Sequence, residues 1–270
     1  MKQLRLASLG ALLFVMLGCA SASPQPDIVL TNTGLSSAET REPVEQIRLA
    51  ANSTVIIYLH GTKNPALRED CQYRNNRVPE TLQSAASLPD TQVFFLCSTA
   101  TDGNLEGSYI AKRGAEVNAV LTKLIDAGVA PERIFLAGHS AGAWVGLMLF
   151  AEHADRFNAL IGYAPECCGR RDLESDYPRW RTKIRPQQIE QMLMADSIDA
   201  LLFAYEDDIY NRPAELGFLT EAYKDSVRLI GYDCEGGHNT HIDDCRAKDT
   251  GAMIRKFITE RIADERNSDD

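Results

Sequence analysis

Ile134-Phe135-Leu136-Ala137-Gly138-His139-Ser140-Ala141-Gly142-Ala143-Trp144 is the stretch on which the reading of this chain turns. A short apolar run ends in Gly-His-Ser-Ala-Gly, and a helix-compatible run, 143–153, follows at once. A strand that passes into a helix through Gly-x-Ser-x-Gly turns so sharply that the serine is strained and bulk is excluded two positions to either side. Gly138 and Gly142 meet that need. The serine hydroxyl is then held above a sheet, at a helix N-terminus whose amides favour negative charge.

The flanks agree with this reading. Upstream, residues 113–127 carry Val117, Val120, Leu121, Leu124 and Ile125 at helical spacing. Gly128-Val129 and the turn Pro131-Glu132-Arg133 then lead into the strand. Helix, glycine, proline turn, strand, sharp turn, helix is the order of a nucleophile elbow. Over 113–154 the chain resembles an α/β-hydrolase of the serine-esterase and dienelactone-hydrolase-like kind. The resemblance implies an α/β fold, with a mainly parallel sheet, helices on both faces, and a nucleophile–acid–histidine order along the chain.

Outward from the elbow, Val55-Ile56-Ile57-Tyr58-Leu59 reads as a strand covered on both faces. It ends in His60-Gly61-Thr62. By the resemblance, this loop supplies half of an oxyanion hole through the amide of Thr62, and Ala141 supplies the other half. His60 is expected to orient the loop and to transfer no proton. Residues 64–87 are polar, with Arg74 and Arg77 read as a solvated face or, alternatively, as holders of a substrate anion. Further strands are expected at 91–96, 157–162, 199–205 and 227–232, with helices at 187–195 and 250–263. The arginine-rich segment 170–185, with Tyr177 and Trp180, reads as a small excursion over the site, too polar for the core, whose aromatics pack within the loop or, alternatively, line a pocket. Residues 264–270 read as a frayed tail.

A serine hydroxyl needs a base within hydrogen-bond reach, and the base needs a carboxylate to fix its tautomer. The acid is sought in Glu206-Asp207-Asp208. Aligning Tyr205 with the glycine of the family's Gly-x-x-Asp turn selects Asp208, and a shift of one residue selects Asp207. The base is sought in Gly236-Gly237-His238-Asn239-Thr240-His241. Gly-His is the commoner family pattern and favours His238, with His241 as the alternative. The two histidines with Asp243 and Asp244 fit no common zinc spacing, so no metal is expected. The resemblance implies no cofactor.

Lys2 and Arg5 precede an apolar run, 6–17, too short to span a bilayer and right for a signal peptide. Met16-Leu17-Gly18-Cys19 resembles a bacterial lipobox, and Ala20-Ser21-Ala22 offers an ordinary cleavage site instead. The chain holds 7 cysteines, so lipidation of Cys19 would leave an even number for pairing in an oxidising compartment. A bridge between Cys234 and Cys245 would bracket the histidine loop, whereas Cys71, Cys97, Cys167 and Cys168 allow several pairings. The expected division is a signal peptide over 1–18, a Ser/Ala/Pro/Thr-rich tether over 19–43 and one hydrolase domain over 44–270. Membrane attachment would come through the lipid on Cys19.

With 28 Lys and Arg against 38 Asp and Glu, the formal charge of −10 argues against a nucleic-acid partner. The expected function is an exported serine hydrolase that acts on a small or acylated ester through an acyl-enzyme. A peptidase or acyltransferase would use the same three residues. The rival of another class is a catalytically idle domain of this fold that binds an envelope ligand.

Overall fold

The computed structural model describes residues 29–32, 40–43, 49–50, 52–62, 77–98, 100, 108–167, 169–171, 180–242 and 244–268. The expected signal peptide, Cys19, Cys71, Arg74, Cys168, Tyr177 and Asp243 lie outside them.

The strands are β1 (Val29–Asn32), β2 (Thr40–Pro43), β3 (Thr54–Leu59), β4 (Thr91–Leu96), β5 (Ile134–His139), β6 (Ala159–Tyr163), β7 (Ala200–Tyr205) and β8 (Val227–Tyr232). They form one sheet in the order β2-β1-β4-β3-β5-β6-β7-β8. From β4 through β8 every neighbouring pair is parallel. β1 runs antiparallel to both β2 and β4. The helices are α1 (Glu80–Gln83), α2 (Ser108–Asp126), α3 (Ala141–His153), α4 (Arg185–Met192), α5 (Gly217–Ala222) and α6 (Ala247–Ser268). None of the described helices is long and apolar enough to cross a membrane.

Successive side chains of a strand point to opposite faces, and the apolar runs of β3, β5, β6 and β7 fill both. Val55, Ile57, Leu59 and Leu136 pack with Val117 and Leu121 of α2 and Trp144 of α3. Their chain neighbours Ile56, Tyr58 and Phe135 pack with Leu82 of α1 and Ile254 and Phe257 of α6. Burial on two sides is why these strands read as continuous apolar runs. At about 25 cal/mol per Å² of apolar surface removed from water, these two layers are the main support of everything mounted on the sheet.

Four expectations change. Within the expected tether 19–43, Val29–Asn32 and Thr40–Pro43 are strands that extend the sheet, Thr40–Pro43 at its edge and Val29–Asn32 next to it, with Leu30 opposite Leu96 and Thr31 opposite Phe95. α2 begins at Ser108, because Tyr109 and Ile110 are buried one turn ahead of the expected start. The expected tail continues α6 to Ser268, through residues that are mostly good helix formers. Trp180, assigned to a polar excursion, is fully buried and meets Trp144 edge-on at 6.0 Å. It opens a π-helical turn, Trp180–Ile184, that runs directly into α4.

Candidate active site

The C-terminal ends of β3, β5, β7 and β8 converge, as the crevice of a parallel sheet requires. Ser140 joins β5 to α3 at φ 53° and ψ −121°, a left-handed conformation that is strained for a serine. Its amide donates to the carbonyl of Tyr163 at 2.9 Å, and its carbonyl accepts from Trp144 and Glu166 at 3.0 and 3.2 Å. A Cβ at position 138 would lie 2.6 Å from the amide nitrogen of Ala143, and one at 142 would strike the carbonyl of Leu59. Only glycine fits either place, so the elbow pattern is a steric requirement of this turn.

The structure brings Ser140, His238 and Asp208 together. His238 Nδ1 lies 2.8 Å from Asp208 Oδ2, and His238 Nε2 lies 2.8 Å from Ser140 Oγ. A carboxylate only accepts, so Nδ1 carries the proton and Nε2 of the neutral ring is left to accept from the serine. Asp208 is fully buried, and its other oxygen accepts from the amide of Tyr210 at 2.7 Å. The ring of Tyr210 covers His238 at 4.3 Å between centroids.

The alternatives left open by the sequence separate here. Asp207 does not meet the imidazole, since its Oδ2 accepts from the amides of Gly236 and Gly237 at 3.1 and 2.9 Å. His241 does not meet Ser140 either. It is buried and stacks on His139 at 3.5 Å with 18° between the rings. His139 in turn reaches the backbone carbonyl of His238 with Nε2 at 2.8 Å. Burial, with His241 and His238 close by, holds its pKa well below the usual histidine value, so the ring is neutral.

The loop after β3 stands beside the serine. A Cβ at Gly61 would lie 2.9 Å from His139 Nδ1 and 3.2 Å from Ser140 Cβ. Thr62 therefore follows directly on the residue in contact with the serine, and its Oγ1 pairs with the hydroxyl of Tyr109 at 2.6 Å. Burial raises the pKa of that tyrosine to about 12. His60 donates from Nδ1 to the carbonyl of Gly61 at 2.6 Å and accepts from the amide of Ser98 at 3.1 Å. Arg113 holds the carbonyl of His60 from below. Ala141 opens α3, so its amide is one of those with no acceptor inside the helix.

Three arginines that the sequence reading placed in the excursion brace the acid loop. Arg171 donates to the carbonyl of Asp208 at 2.9 Å, Arg181 to that of Tyr210, and Arg185 to that of Glu215 at 2.8 Å. The Glu215 carboxylate faces Arg171 at 3.5 Å and Arg181 at 3.4 Å. Sequence reasoning also passed over Glu166, three residues past β6 and only 1% exposed. Neither of its carboxyl oxygens has a hydrogen-bond partner among the described residues. Burial raises its pKa well above the usual value, against the pull of Arg181 and Arg185.

Cys234 and Cys245 are bridged, with Cα atoms 6.1 Å apart. Cys97 and Cys167 each take part in a disulfide as well, and the partner of neither lies among the described residues. Among the described residues, the group of possible metal ligands is Cys234, Asp244 and Cys245. Two of its three members are used in the bridge.

No protein-family model matches this chain. No curated protein matches it in sequence. Solved structures do match in shape. Esterase 2 of Thermogutta terrifontis, phosphonylated by sarin, aligns with a TM-score of 0.56 at 14% identity, over 80% of this chain and 86% of that one. DcsB in complex with its substrate analogue gives 0.60 at 14% identity, over 87% and 99%. Est1E of Butyrivibrio proteoclasticus with ferulic acid bound gives 0.55 at 16% identity, over 79% and 91%. The parallel sheet from β4 to β8, with helices on both faces, an elbow after β5 and these structural likenesses, is an α/β-hydrolase fold.

Proposed function

We propose that this chain is an exported serine hydrolase that cleaves carboxylic esters through an acyl-enzyme. The observation that carries the reading is the run Asp208–His238–Ser140, with both hydrogen bonds at 2.8 Å and the acid buried.

In this reading Ser140 Oγ attacks the ester carbonyl while His238 Nε2 takes its proton. Asp208 stabilises the imidazolium and keeps the ring in its tautomer. The amides of Thr62 and Ala141 receive the oxyanion, at the positive end of α3. Collapse of the tetrahedral intermediate expels the alcohol, which takes the proton from His238 and leaves the acyl group on Ser140. A water then gives its proton to His238 and attacks the acyl carbon, releasing the acid and restoring the serine. A phosphonylated esterase among the structural likenesses supports an ester as substrate class. Ferulic acid bound to another supports a small carboxylic acid as product.

Export is supported by the apolar run 6–17 behind Lys2 and Arg5 and by the disulfide chemistry. Attachment to a bacterial membrane through lipid on Cys19 is part of the same proposal. The test of the hydrolase reading is covalent labelling by a fluorophosphonate, with Ser140→Ala as control. Labelling lost in a folded Ser140→Ala protein, together with loss of ester turnover, is the expected result. Wild-type protein that resists the probe and turns over no ester would leave an idle binding domain.

A further inference from the structure

His139 touches three separate parts of the site. Its backbone adjoins Ser140. Its Nε2 meets the carbonyl of His238 at 2.8 Å. Its Nδ1 edge faces Gly61, where a Cβ would come within 2.9 Å. A carbonyl only accepts, so Nε2 bears the proton and Nδ1 is bare. Nδ1 has no hydrogen-bond partner among the described residues, and the whole residue is 4% exposed. An imidazolium here would bury a charge whose second N–H points at the backbone of a glycine, a costly arrangement. The stacked ring of His241, 3.5 Å away, packs against one face and leaves His139 little freedom to tilt.

We propose that His139 is a positioning residue, whose neutral ring sets the separation of His238 from Ser140 and seats Gly61 against the serine. The proposal rests on the serine-hydrolase reading for its effect on rate. The hydrogen bond acts on the backbone of His238, a point of control distinct from the grip of Asp208 on the ring. That point needs one. His238 follows Gly236 and Gly237, both at positive φ, in a loop with little intrinsic stiffness. A reacting group displaced by about 1 Å costs on the order of 100-fold in rate.

Gln carries an amide nitrogen near the Nε2 position, Asn carries one only near Nδ1, and Leu carries none. Turnover of an activated ester by His139→Leu and His139→Asn should fall in kcat by on the order of 10- to 100-fold, with KM little changed. His139→Gln should recover on the order of 10-fold of that loss. A second measurement does not depend on turnover. The downfield proton of the His238–Asp208 hydrogen bond should be sharp in wild type and His139→Gln and broadened by exchange in His139→Leu. If the wild type resists fluorophosphonate while this NMR pattern holds, the hydrolase reading fails and the positioning role stands. If the wild type is labelled, but the Leu variant matches it in kcat and in the proton resonance, the positioning role is overturned. Should Leu fail to fold, the Gln and Asn pair decides. A Gln variant that also fails to fold, or is no better than Asn, makes the ring a packing element only.

Discussion

The carboxylate of Asp208 accepts from the ring of His238 at 2.8 Å, while that of its chain neighbour Asp207 accepts from the backbone amides of Gly236 and Gly237 at 3.1 and 2.9 Å. Two consecutive acids therefore hold one loop by different handles. Asp208 is fully buried and Asp207 is exposed, which suits the proposed division between a charge that acts on an imidazolium and one that restrains a turn.

This division predicts opposite responses to the same substitution. In Asp208→Asn the amide of Tyr210 keeps the carbonyl oxygen at the Oδ1 place, which turns the new NH2 toward His238 Nδ1. The ring must then carry its proton on Nε2 and cannot accept from Ser140. A loss in kcat of on the order of 10⁴ is expected. Asp207→Asn retains an oxygen able to accept from both glycine amides and should keep most of kcat, whereas Asp207→Ala should lose about 10-fold. Steady-state kinetics on the three variants would overturn the division if Asp207→Asn were the more damaged.

The bridge between Cys234 and Cys245 closes the same loop, at a sequence separation of 11. Chain entropy assigns a loop of this size about 3 kcal/mol of stability. The effect on rate should go further, because the bridge also limits where Gly236, Gly237 and His238 can travel. Cys234→Ser with Cys245→Ser should lower kcat at temperatures where circular dichroism reports a fully folded protein. A double variant with wild-type kcat would confine the bridge to stability.

The proposed lipid anchor on Cys19 makes a separate prediction. Cys19→Ser should release the protein from the membrane fraction of a cell that processes lipoproteins, although Ala20-Ser21-Ala22 still offers a cleavage site. Mass spectrometry of the wild-type N-terminus is the deciding measurement. A mature chain that begins at Ser23 without lipid would remove the lipobox reading.

Much of this architecture is legible in the sequence because its signals are local. The sharp turn at Ser140 needs small residues at 138 and 142, and the buried strands need apolar runs. The choice between Asp207 and Asp208 is not legible, since a shift of one residue exchanges them and only the tertiary hydrogen bonds fix the register. The two strands within the expected tether escaped for a related reason. Val29–Asn32 owes its state to pairing with a strand sixty-odd residues further along (Leu30 with Leu96), which so short an apolar run inside a Ser/Ala/Pro/Thr-rich segment does not announce. Trp180 was hidden by its arginine neighbours, whose guanidinium groups reach out to backbone carbonyls while the indole turns inward. His139 lay inside the most informative motif, yet its role depends on a carbonyl 99 positions away in the chain.

Glu166 supplies a prediction in pH. Its burial raises its pKa in the folded protein above the ordinary value of 4.5. Between 4.5 and that raised value the folded chain binds a proton that the unfolded chain has released. Stability from this group is therefore fully present below about pH 4.5 and is lost as pH rises through the folded value. His139 works with the opposite sign, because its depressed pKa makes the unfolded chain the better proton binder below about 6.5, so its contribution is lost as pH falls. Comparing Glu166→Gln with the wild type cancels the histidine and isolates the acid. Glutamine has nearly the shape of the protonated carboxyl and no charge to desolvate. The two proteins should melt at similar temperatures at pH 4, and the variant should melt higher at pH 8, as differential scanning calorimetry would record. Arg181 and Arg185 pull in the other direction by favouring the carboxylate. If they prevail, Glu166→Gln will melt lower than wild type at pH 8, and the acid is then a charged partner of those arginines instead of a neutral buried group.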